Sequence, residues 1–199
     1  EIISETRWVQ VYGDAPPGGY RFAVSSYTYP GQKPVSAAAS ITQEEWALVG
    51  SAAIAPEQFT TDDSPSSAVD ARLGDSVRLA GATFEPPLNA LQAGESLIVR
   101  LYWQAEQPVS TSYTIFVHLK NASGDLIAQQ DSLPHEGHYP TWAWQPGETI
   151  ITTHTLTIPA DQPPPYALAV GMYAWPSLER LSATQDGQVQ PDNVVTFHP

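Results

Sequence analysis

Leu97-Ile98-Val99-Arg100-Leu101-Tyr102-Trp103-Gln104 alternates along its length: Leu97, Val99, Leu101 and Trp103 fall on one side, Arg100, Tyr102 and Gln104 on the other. A period of two marks a strand with one face in a core. The pattern returns at Tyr113, Ile115, Val117 and Leu119, which alternate with Thr114, Phe116, His118 and Lys120. Asn121-Ala122-Ser123-Gly124-Asp125 then supplies turn residues before Leu126-Ile127-Ala128, so these two strands form a hairpin. The same turn explains the formal Asn-x-Ser sequon at Asn121. Further strands are expected near 76–84, 148–158, 166–175, 179–184 and 193–198, making eight between residues 76 and 199. Many short strands between turns describe an all-β chain, an antiparallel β-sandwich of Ig-like or jelly-roll-like type.

The composition agrees. There are 19 Pro and 13 Gly among 199 residues, and no cysteine, which favours turn-rich β structure and excludes a disulfide framework or thiol chemistry. Eight Lys and Arg against 21 Asp and Glu leave a formal charge of −13. Nucleic acid is therefore not an expected partner, because its binding requires a basic footprint. No apolar run approaches the length of a membrane span, so a membrane enters the picture only through segments outside this sequence.

The sequence also repeats itself. Residues 17–37 (PGGYRFAVSSYTYPGQKPVSA) align without a gap on residues 163–183 (PPPYALAVGMYAWPSLERLSA), with identities at Pro17, Tyr20, Ala23, Val24, Tyr27, Pro30, Ser36 and Ala37. Duplication of this kind points to tandem modules. Some 90 residues of strand-like sequence precede the unit in its second copy and only 16 in its first. Three divisions are expected: residues 1–55 as the C-terminal half of a preceding β module, 56–75 as a polar linker, and 76–199 as a complete sandwich. The chain opens Glu1-Ile2-Ile3, and its one methionine is Met172, as in a fragment or a processed form. Thr42-Gln43-Glu44-Glu45 resembles a capping box, leaving a short helix and a strand as alternatives just beyond it. A half module buries only one face of one sheet. It is expected to pack on the complete module or to self-associate with a second chain.

Leu79-Ala80-Gly81, Leu101 through Ala105 (LYWQA), Tyr113 through Leu119 (YTIFVHL), Asp131 through Pro134, Gly137 through Thr141 (GHYPT), Trp144 through Glu148 (WQPGE) and Tyr166 through Tyr173 together carry a family likeness. Residues 73–199 resemble an extracytoplasmic β-sandwich module appended to bacterial dolichyl-phosphate-mannose-type membrane glycosyltransferases, and are similar to non-catalytic sandwich modules of carbohydrate-active enzymes. Residues 7–41 look like the tail of another copy. The resemblance implies a module outside the cytoplasm, tethered by a membrane region that lies elsewhere. It implies no catalytic residue and no cofactor here, since the transferase's acidic loops have no match in this sequence.

Candidate sites follow from the aromatic residues. Tyr139, Trp142 and Trp144 crowd a proline-marked loop, where exposed rings stack on sugar faces. The competing role for Trp144 is to plug the end of the sandwich, and Trp142 is open between the two. Tyr173 and Trp175 share a face with Ala169 and Gly171, a second carbohydrate-binding surface unless it meets the neighbouring module. His135-Glu136-Gly137-His138 is a weak metal motif outside a helix and is expected to be a solvated loop. His118 and His154 are read as structural or sheet-surface residues. No Gly-x-Ser-x-Gly elbow or phosphate-cradling glycine loop is present. The expectation is a non-catalytic accessory module with a cell-envelope glycan as its candidate partner; the alternative is a structural or protein-interaction module forming a rigid tandem stalk.

Overall fold

Alternation along β7 (Ser96–Ala105) dictates its place: Leu97, Val99, Leu101 and Trp103 are fully buried between two sheets. In the computed structural model, which describes residues 18–24, 26–28, 33–35, 47–54 and 59–199, the chain runs β1 (Gly18–Val24), β2 (Ser26–Thr28), β3 (Lys33–Val35), β4 (Ala47–Ile54), β5 (Ser67–Leu73), β6 (Val77–Glu85), then β7. After these come β8 (Tyr113–Lys120), β9 (Leu126–Ser132), β10 (Thr149–Thr157), β11 (Ala167–Ala174), β12 (Glu179–Arg180), β13 (Ala183–Gln185), β14 (Gln188–Val189) and β15 (Val195–Phe197). Short 3-10 turns lie at Pro134–Gly137, Thr141–Ala143 and Pro191–Asn193.

The strands build an antiparallel sandwich. One sheet has the order β10-β7-β6-β5-β13-β14, the other β12-β11-β8-β9 with β15 also on β11. Ile115, Val117 and Leu119 of β8 face Leu97, Val99 and Leu101 across the core, closed by Leu168, Val170 and Met172 of β11. The expected β8–β9 hairpin forms, and Asn121 Oδ1 accepts the N–H groups of Ser123 and Asp125, each at 3.0 Å.

The domain boundaries need correction. The expected 56–75 linker contains β5, which lies inside the first sheet between β6 and β13. Ala71 and Leu73 point into the core while Asp70 and Arg72 point out. Cross-strand ion pairs hold the outer face: Arg72 with Glu106, and Arg78 Nε with Asp70 at 3.2 Å. The sandwich begins earlier still, because Phe59 packs on the core and Thr61 N–H donates to Thr149 O at 3.0 Å.

The duplication extends to backbone register. Tyr27 pairs with Pro34 and Thr28 with Lys33; in the second copy Tyr173 pairs with Arg180 and Ala174 with Glu179, each residue displaced by the same 146 positions. Val24 pairs with Ala47 on β4 as Val170 pairs with Val195 on β15. The residues following Trp46 form strand, whereas the Thr42–Glu45 capping box lies outside the described residues.

Candidate functional site

Three of the expected sugar-stacking rings come from one loop, and the structure separates them. Tyr139 and Trp144 are in the core, 0% and 1% exposed. This corrects their assignment to a carbohydrate platform, since a ring with no exposed face cannot stack on a ligand. Their polar atoms are satisfied internally: Tyr139 Oη donates to Glu148 Oε2 at 2.7 Å, and Trp144 Nε1 donates to Tyr139 O at 3.0 Å. Trp144 lies 6.4 Å from Trp103, centroid to centroid, and plugs the end of the sandwich. Burial, followed by the Glu148 carboxylate, pushes the Tyr139 phenol pKa upward.

Trp142 is half-buried, and its neighbour is the first copy of the repeat. Arg21 Cζ sits 5.1 Å from the ring centroid, while Gly19 N–H donates to His138 O at 3.1 Å. A Cβ on Gly19 would fall 2.6 Å from the indole, and one on Gly18 would fall 2.7 Å from His138 O. Glycine is therefore what lets β1 approach this loop. β1, β4, the Thr141–Ala143 turn and the His138 backbone make one contact between the N-terminal strands and the sandwich.

Tyr173 and Trp175 occupy another part of the molecule. Tyr173 is half-buried on the outer face of the second sheet, 6.3 Å from Phe116 and stacked at 26°. The small residue at Gly171 leaves no open space on this face, because the Phe116 ring lies where a Gly171 Cβ would sit, 2.3 Å from its Cζ. Val194 and Ala169 close the same cluster, and Arg180 Cζ covers Phe116 at 4.6 Å. Trp175 is 73% exposed in the turn after β11. The five residues thus form no common surface. On the same outer face His118 Nε2 meets Asp131 Oδ1 at 3.2 Å; burial lowers the His118 pKa, against the upward pull of Asp131.

A groove that the sequence did not signal opens where the edges of the two sheets part. It encloses about 760 Å³ and is lined by Phe59, Ser132, Leu133, His135, Thr153 and His154 among others. The expected solvated loop is wrong for His135: its ring stacks on Phe59 at 3.7 Å and 15°. His135 and Glu136 both take left-handed backbone angles, φ 50° and 56°, unfavourable for non-glycine residues. The Ile151 N–H donates to Phe59 O at 2.9 Å, and the Ile151 backbone beside the His135 ring partly offsets the fall in its pKa. Of the two roles expected for His154, structural or sheet-surface, its burial fits the structural one. It is 1% exposed, and its Nε2 lies 3.1 Å from Thr152 Oγ1, which also accepts the Trp103 indole N–H at 2.9 Å. His135 Nε2 and His154 Nδ1 are buried with no hydrogen-bond partner. Burial lowers both imidazole pKa values to about 4, so both are neutral at pH 7.

Among the described residues no group of three or more histidine or acidic side chains could hold a metal ion. No helix among them is long and apolar enough to cross a membrane. No protein-family model matches the chain, and no curated protein matches it.

Proposed function

We propose that this chain is a non-catalytic structural module, one complete β-sandwich with the end of a preceding copy locked against it, carried in tandem as a rigid scaffold. The observation that supports this reading is the contact of β1 with the 138–142 loop. Gly18 and Gly19 admit the backbone, the Gly19 N–H is used on His138 O, and Arg21 covers Trp142. A flexible tether between modules needs none of these features. Together they convert two sheets into one unit, as expected of a stalk element. The resemblance of residues 73–199 to modules appended to membrane glycosyltransferases extends the proposal: the scaffold stands outside the cytoplasm in a larger, membrane-anchored bacterial protein.

Substitution at the contact provides the test. Gly19→Val places a branched side chain against the Trp142 ring and the Ala143 Cβ, with which even a single Cβ would collide. Overpacking of this kind costs about 1–3 kcal/mol, a fall of several degrees in Tm for a chain of this size. A thermal melt is expected to shift down, with Trp142 fluorescence moving toward that of an exposed indole. An unchanged melt and spectrum would show that the two parts are not locked and would sink the scaffold reading.

A further inference from the structure

β1 meets the sandwich with one of its two faces. Successive side chains of a strand point to opposite sides. Gly19 and Arg21 lie on the side of the sandwich, where the Trp142 indole stands against both. Tyr20, Phe22 and Val24 therefore point away from it. Tyr20 and Phe22 are half-buried, and Val24 is 55% exposed. An aromatic, an aromatic and a β-branched residue in alternation make up a core face, yet here its end stands in solvent.

The second copy of the repeat shows how such a face is used. Tyr20, Phe22 and Val24 align with Tyr166, Leu168 and Val170, all three of which are buried in the sandwich core. The backbone is equivalent as well, because Val24 pairs with Ala47 as Val170 pairs with Val195. In the second copy the same core holds Leu79, Leu97, Val99 and Leu101 from the opposing sheet. A sheet with one apolar face becomes stable when that face packs on another layer. The β1–β4 sheet thus calls for a second sheet that offers alternating apolar side chains.

Charge selects the partner. The chain carries a formal −13, and like charge keeps copies apart over most of the surface. Residues 15–43 are its longest stretch without an aspartate or glutamate, and they hold two cations, Arg21 and Lys33. β1 lies inside that stretch. Its one charged residue, Arg21, is on the other face, over Trp142. Two copies meeting at Phe22 and Val24 bring no carboxylate of this stretch against another, and each supplies the apolar layer that the other needs.

We infer that two copies of this chain associate about a two-fold axis, packing Phe22 and Val24 of each β1 against the same residues of its mate to form a two-layer sandwich. A two-fold contact is self-complementary, so one face serves both sides. This pairing goes beyond the scaffold reading and does not depend on it, since the two use opposite faces of β1.

The test is sedimentation equilibrium of the full chain from about 1 μM to about 1 mM. A monomer–dimer equilibrium is expected within that range. Val24 is exposed in the single chain, so Val24→Glu is expected to keep the circular dichroism spectrum while weakening association about tenfold or more, because each copy then brings a carboxylate to the contact. Leu126→Glu, at an exposed position of β9, is expected to leave association unchanged. Gly19→Val alters the opposite face, so the lock and the dimer can fail separately. A chain that stays monomeric throughout overturns the inference and leaves the face to another stretch of a longer polypeptide. So does a dimer that Val24→Glu leaves intact, or one abolished instead by Trp175→Ser, which would move the contact to the exposed turn after β11.

Discussion

His154 carries the most pronounced conflict between residue type and surroundings. It sits on the inward face of β10 between Thr152 and Leu156, nearly fully buried, and desolvation lowers its pKa from 6.5 to about 4 with a smaller contribution from His135. The sign follows from linkage. Unfolded, the ring binds a proton below pH 6.5; folded, it resists until about pH 4, so the unfolded state holds more protons across that window. Stability is full above pH 6.5 and falls as the pH drops to 4, by on the order of 3 kcal/mol for this group. Urea midpoints measured across this range are expected to decline in the wild-type protein and to decline less in His154→Phe. Parallel declines in the two proteins would rule out His154 as the source. The aromatic loop teaches a related lesson. Spacing in the sequence put Tyr139, Trp142 and Trp144 together, yet which ring faced the core depended on the path of a 3-10 turn. Trp144 fills the core, as a tryptophan next to a strand more often does than face solvent.

At the scale of elements, the strongly alternating strands were legible and the weakly apolar one was not. β7 and β8 put Leu, Val, Ile and Trp on alternate positions and sit where the pattern placed them. β5 reads Ser-Ala-Val-Asp-Ala-Arg-Leu, whose small residues and charges resemble a linker. Its register shift between Ala68 and Ala71 breaks the period further. Pairing on both sides and the Asp70 and Arg72 ion pairs supply what local propensity lacks. A chain that begins at Asp75 loses β5 from the middle of a sheet, uncovering the edges of β6 and β13. It is expected to aggregate or to lack a cooperative melt, while one that begins at Gln58 retains both. Equal folding of the two by circular dichroism would return β5 to the status of a linker. The groove was illegible for a different reason. His135 and His154 converge only because two sheet edges from separate hairpins meet, and no local pattern encodes that.

At the scale of the molecule, the repeat is the feature that sequence and structure describe in the same terms. The β2–β3 and β11–β12 pairs share one register, and β4 and β15 flank equivalent strands. What the copies do not share is the docking chemistry: Gly18, Gly19 and Arg21 align with Pro164, Pro165 and Ala167. Proline at 165 has no N–H to give a His138-like carbonyl, and Ala167 cannot cover an indole. The contact is therefore directional: the end of the first copy grips the second, and the second presents no such grip of its own. The scaffold claim rests on that contact, and one amide reports it without ambiguity. Gly19 N–H points away from β4 toward His138 O, so pairing within the β1–β4 sheet does not protect it. Hydrogen exchange of this amide, followed by NMR in the full chain, is the most direct measurement. Protection comparable to that of the β8 amides is what a locked scaffold predicts; exchange at the rate of an unstructured glycine would contradict it.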